Sequence, residues 1–302
     1  MMPLIDTLAQ LNAWSIASIL VRAVIYGAAL IAVGSLIFRM VFGQPSGVSE
    51  AKLSTLCAAT AVVAATMLLV AWGLRTIFLG GGMWRATLEP SLWGLAVQGA
   101  YGQRLVLITL GLAVVAAAML TARHWGQRAV VPGALGALLV GIGFGQAGHT
   151  SGVAPWLLAP LLMVHWLAAS FWLGALYPLH ALAARPGDTE AMHVLTRFGS
   201  IAAGAVASLL VAGIVIAYWL IAAVQPLIGS AYGQALLVKT TIVAVLLALA
   251  AFNKLLAVPA FANGSPTAAH HLQWGIRLEA VTATFILLIT ALLTSAPSPP
   301  TL

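Results

Sequence analysis

In a chain whose 302 residues are 62% apolar and only 6% charged, the side chains able to do chemistry are few and stand out. His149 closes one apolar run, in Ala147-Gly148-His149-Thr150-Ser151-Gly152. His165 lies about ten residues into the next, in Val164-His165-Trp166, and His180 follows fifteen residues later. Imidazole is the commonest protein ligand for copper, zinc and haem iron, and in its neutral form it enters lipid without a large charging cost. The same ring can instead bond a neighbouring helix, an interaction worth on the order of 1 kcal/mol. At a 1.5 Å rise and 100° per residue, His165 sits ~15 Å inside its run and shares a stripe with Trp172 and, more loosely, His180.

Glu279 is the only acidic side chain inside an apolar run. A buried carboxylate must find a partner, and Lys254, Asn253 and Arg277 are the candidates; a helix–helix ion pair is the structural reading, a cation or proton station the functional one. Lys239, Arg22 and Arg104 fall near one edge of their runs and could form a basic rim, or snorkel to the interface. A single cysteine, Cys57, excludes an internal disulfide and any CxxC motif. His124, His193, His270 and His271 fall in polar connections and read as solvated.

The elements that must position these groups are membrane helices. About twenty apolar residues cross a ~30 Å hydrocarbon core as a helix, because lipid leaves the backbone only its own hydrogen bonds. The runs predict eight spans, near 15–42, 53–79, 101–122, 129–148, 155–183, 196–224, 232–259 and 272–295, hence an all-α polytopic membrane protein. No basic stretch precedes the first run, so it reads as a retained helix and not a signal peptide. Eight cations fall on the side of Arg39, Lys52, Arg123, Arg128, Arg185, Arg197, Lys254 and Arg277, against five on the other, which places both termini away from the cytoplasm.

The net charge of +7 is scattered over helix ends, as expected for contacts with membrane lipid and not with nucleic acid. Trp14, Trp84, Trp93, Trp125, Trp156 and Trp274 fall at span edges and read as interfacial anchors. The segment from Gly80 to Gly99 is too polar to cross and too apolar for an ordinary loop; it should lie in the interface or fold back over the helices. Tyr101-Gly102-Gln103 and Tyr232-Gly233-Gln234 open the third and seventh spans, so two parallel four-helix repeats are one reading and a chance match the other.

The run His165-Trp166-Leu167-Ala168-Ala169-Ser170-Phe171-Trp172-Leu173-Gly174-Ala175-Leu176 resembles the signature of the bacterial copper resistance protein D (CopD/PcoD) family. So do Gly148-His149, Arg197-Phe198-Gly199, Tyr232-Gly233 with Leu236, Leu237 and Lys239, Asn253-Lys254, and Arg277-Leu278-Glu279. The resemblance covers about residues 140–296 of a single transmembrane domain. It implies a bacterial inner-membrane protein of copper homeostasis and resistance, with a periplasmic copper-binding partner of the CopC type. It also implies His149 and His165 as the copper-contacting residues, with Trp172, His180, Lys239 and Glu279 as accessory positions. No fused periplasmic copper domain is present, so a separate donor is expected.

Soft Cu(I), favoured over Cu(II), also takes thioether ligands, but Met163 and His165 point about 160° apart on one helix. Met67, Met83 and Met119 are more often packing material. No Walker A sequence is present, so transport without ATP hydrolysis, toward the cytoplasm, is the expectation, and not an enzyme. Two alternatives remain. A haem-binding electron-transfer bundle would need two histidines at one depth, and a copper-delivery factor would share the metal site without the flux.

Overall fold

Residues that start and stop helices bracket the apolar runs, and the helices begin and end at them. The structure is a computed structural model describing residues 4–146, 155–221, 224–262 and 266–295. A short α1 (Leu4–Ala9) leads into α2 (Ala13–Phe42), where the Asn12 side chain accepts from Ser15 N and Gly43, at φ 69°, ends the helix. α3 (Glu50–Leu79) starts on Ser49, whose hydroxyl accepts from Lys52 N. α4 (Pro90–Ala96) and α5 (Ala100–Trp125) follow, then α6 (Val130–Gly145), α7 (Pro155–Leu182) and α8 (Thr189–Ile221). α9 (Val224–Gly229) leads to α10 (Ala231–Phe252), a π-helical turn over Asn253–Ala257, α11 (Val258–Ala262) and α12 (Pro266–Leu293).

No strand occurs among the described residues, and seven helices are long and apolar enough to cross a membrane. These seven coincide with seven of the eight expected spans. The eighth, α6, has 16 residues, about 24 Å of helix, and the rest of its expected span runs into residues outside those described. Arg22, nine residues into α2, donates to the Thr294 carbonyl just past α12, and the Tyr26 hydroxyl lies 3.2 Å from Thr294 Oγ1. The first and last spans therefore have their termini at the same end of the bundle, as an even number of crossings requires.

Lipid supplies no hydrophobic drive between helices, so close packing must hold them together, and small residues permit it. At the α2–α7 crossing a Cβ added to Gly174 would lie 2.1 Å from the Gly34 carbonyl carbon, and one on Gly34 would lie 1.8 Å from the Ser170 carbonyl oxygen. Gly111 of α5 and Gly136 of α6 repeat the device: a Cβ on either would come within 2.8 Å of the other's carbonyl oxygen. The segment after α3 does fold back. Trp93 donates to the Thr87 carbonyl at 3.0 Å and packs edge-on against Trp72 at 5.0 Å, while Trp72 donates to the Trp93 carbonyl. Trp93 thus packs on α3 and is half-buried. Trp14, Trp84, Trp125, Trp156 and Trp274 are exposed, as anchors should be.

The second half of the bundle is more open. α8 packs on α7, α7 on α12 and α12 on α10, while α8 and α10 are linked mainly near their ends through α9 and α11. Only 6% and 11% of the α8 and α10 spans are buried, against 28–44% for the other five. The four helices form a U, with α7 and α12 as its floor.

Candidate functional site

Each polar group in this half is fixed by a neighbour chosen by helix packing. His165 faces α8, with Nδ1 3.2 Å from the Leu209 carbonyl oxygen and Gly213 alongside, where a Cβ would stand 3.7 Å from His165 Cε1. A carbonyl can only accept, so Nδ1 carries the proton and Nε2 keeps its lone pair; that is the tautomer a metal-binding imidazole needs. Nε2 makes no hydrogen bond among the described residues. The ammonium of Lys239, eight residues into α10, is within electrostatic range of this ring and at a similar depth. Among the described histidines, His165 alone stands far from a helix end. His124 and His180 occupy the last turn of their helices and His193, His270 and His271 the first two turns, so none of them is a mid-helix partner for His165.

The floor of the U is tied by a buried triad. Trp172 Nε1 of α7 donates to Glu279 Oε2 at 2.9 Å, and Asn253 Nδ2 donates to Glu279 Oε1 at 2.7 Å. All three are nearly sealed from solvent, at 5%, 6% and 5% exposure in the order Trp172, Glu279, Asn253. The π-helical turn beginning at Asn253 turns its amide toward α12, where Gly275 makes room: a Cβ there would lie 2.0 Å from Asn253 Oδ1. Asn253 Oδ1 itself has no hydrogen-bond partner among the described residues.

Of the three expected partners of Glu279, the structure selects Asn253 and adds Trp172. The ion pair with Lys254 or Arg277 does not form. Lys254 runs along Gly199 of α8, and Arg277 donates its Nε to His180 Nε2 at 3.0 Å while stacking over Trp274. One turn of helix, or one face, separates these cations from Glu279, which apolar periodicity cannot resolve.

The remaining candidates separate. His180 is bound to Arg277 at the far end of α7, so the His165–Trp172–His180 stripe contacts three different groups: α8, Glu279 and Arg277. His149 lies outside the described residues. Met163 packs toward α6, where a Cβ on Gly141 would meet its Cγ at 3.0 Å, which places it away from His165. Cys57 is fully buried and its thiol donates to the Ala32 carbonyl at 3.3 Å, holding α3 to α2. Among the described residues no three His, Cys, Asp or Glu side chains converge. The basic rim is also recomposed: Arg22 and Arg104 are joined by Arg75 around a cavity that Lys239 does not line.

Residues 192–293, a run that includes Lys239, Asn253 and Glu279, match the family model described as copper resistance protein D. The matched residues make up about a third of the chain. The His165–Leu176 run lies ahead of the matched residues. The chain is 31% identical over 141 residues to Copper transport protein CutJ of Bacillus subtilis (strain 168), a match covering 45% of this chain and 25% of that protein. It is 28% identical over 242 residues to Inner membrane protein YebZ of Escherichia coli (strain K12), covering 78% of this chain and 81% of that one. The chain thus spans about a quarter of the first relative and most of the second. No solved structure matches it significantly. The residues that match this family model supply two walls of the U and part of its floor; His165 and Trp172 come from the helix before them.

Proposed function

We propose that this protein carries copper across the bacterial inner membrane, as Cu(I) and toward the cytoplasm, without ATP hydrolysis. The observation that carries the reading is His165: a mid-helix imidazole whose Nδ1 is bonded to a backbone carbonyl and whose Nε2 makes no hydrogen bond among the described residues, on the floor of an open U built largely from the residues that match the copper resistance protein D model. The names of the two relatives, a copper transport protein and an inner membrane protein, support it.

In this account His149 takes copper at the periplasmic edge and His165 receives it in the interior. The ion arrives from a separate periplasmic copper-binding protein of the CopC type. Imidazole nitrogen is an acceptable donor for Cu(I), and two-coordinate transfer between neutral rings leaves no unpaired charge in lipid except that of the ion. The Lys239 charge acts on the His165 ring and opposes the resting of a positive ion beside it, which favours onward movement. Trp172, Glu279 and Asn253 hold α7, α10 and α12 in register beneath the path.

Purified protein exposed to Cu(I) under reducing conditions is expected to bind about one copper per chain, with binding lost in His165→Ala and weakened in His149→Ala while both variants stay helical. Bound iron with a Soret band, or wild-type protein without copper, overturns the reading.

A further inference from the structure

The opposite half of the bundle holds three arginines that the copper path does not use. Arg22 of α2, Arg75 of α3 and Arg104 of α5 line one cavity of about 370 Å³ at the end of the bundle where the first span begins, and no acidic side chain lines it. All three guanidinium groups are within electrostatic range of the Tyr101 phenol, so their charges converge and do not point apart. Each is steadied by a neutral group: Arg75 over the Tyr101 ring at 4.5 Å, Arg104 over the Phe144 ring at 5.5 Å, Arg22 on the Thr294 carbonyl. Arg104 Nε is buried without a hydrogen-bond partner among the described residues. Among the described residues the ion pairs are Arg39–Glu50 and Arg185–Asp188, and neither involves these three.

Converging like charges in a membrane protein repel one another unless an anion sits between them. Guanidinium forks match oxyanions in pairs of parallel hydrogen bonds, and three of them can use the several oxygens of a phosphate better than the two of a carboxylate. Arg22 lies nine residues inside α2, about 13 Å from its start, so the charge centre is below the helix ends. Ile19, Ile25, Leu68 and Leu74 give the cavity an apolar lining beside the arginines, and Trp14 and Phe78, which also line it, are exposed. A basic pocket between membrane helices with apolar residues in its lining is suited to a phosphate group, whether borne by a lipid or free.

We propose that Arg22, Arg75 and Arg104 form a binding site for a phosphate group, supplied by an acidic phospholipid headgroup or by free phosphate. The site is independent of the copper reading. In the test, full-length protein is reconstituted in nanodiscs of phosphatidylcholine alone or with phosphatidylglycerol, and separately titrated in detergent with inorganic phosphate; retained lipid is read by native mass spectrometry and stability by thermal unfolding. Stabilisation by phosphatidylglycerol alone assigns the lipid headgroup, and stabilisation by inorganic phosphate assigns the free anion. In either case Arg75→Gln and Arg104→Gln are expected to weaken binding at least tenfold and Arg75→Lys less, with copper binding unchanged. No binding of either probe, or equal binding in the folded glutamine variants, overturns the site.

Discussion

Gly174→Val is expected to pull α7 away from α2 and unfold the protein at temperatures where the wild type is stable. The physical reason is the 2.1 Å separation between an added Cβ and the backbone of Gly34. The obstructing atoms belong to a helix backbone, which cannot swing aside as a long side chain does. Overpacking of this kind costs about 3 kcal/mol or more. The control is Gly204→Ala on α8, where nothing lies within 4 Å of the new methyl; removing a helical glycine there should stabilise by about 0.5–1 kcal/mol. Thermal unfolding in detergent, followed by helical circular dichroism, checks both. Equal stability of Gly174→Val and wild type would refute the crossing.

The second large effect belongs to Glu279. Glu279→Ala strands the Trp172 indole N–H and the Asn253 amide N–H in a sealed interior and leaves a cavity between them. Each unsatisfied buried donor costs about 1–3 kcal/mol, so a total loss of about 3–5 kcal/mol is expected. Glu279→Gln should behave quite differently. Its amide oxygen can accept from Trp172 while its NH₂ donates to Asn253 Oδ1 once that side chain flips, an exchange that leaves the Asn253 NH₂ in the place where Oδ1 is unpaired in the wild type, among the described residues. Stability within about 1 kcal/mol of wild type is therefore expected for the glutamine. The same variant separates a structural carboxylate from a charge-bearing one: near-normal copper binding in a stable Glu279→Gln marks Glu279 as a tie between helices. A stable variant that no longer binds copper would make the charge part of the path.

Apolar runs alone were enough to locate seven spans, because the length of a membrane helix is set by local composition. What faces what was not local. Periodicity placed Glu279 inside a span and named three partners, yet the choice between Asn253 and the two cations rests on the π-helical turn and on the recess at Gly275, neither of which has a helical-wheel signature. Trp93 has the composition and position of an anchor but is captured by Trp72, a contact that exists only once the loop folds back. Arg75 was overlooked in the basic rim because α3 had to be rotated correctly to bring it beside Arg22 and Arg104, and Lys239 was included because depth alone says nothing of which half of the bundle a residue occupies. The chemistry of His165 was legible as an isolated imidazole in an apolar run; its tautomer, set by the Leu209 carbonyl, was not.

The central claim is that copper passes His165 on its way through the membrane. Proteoliposomes holding wild type, His165→Ala or Glu279→Gln, loaded with a Cu(I)-sensitive dye and given Cu(I) outside, test it directly. The account predicts copper entry in the wild type and in Glu279→Gln, and a rate in His165→Ala at least tenfold lower and close to that of empty liposomes. Copper entry at the wild-type rate through His165→Ala, or none through wild-type protein that is folded and copper-loaded, would contradict it.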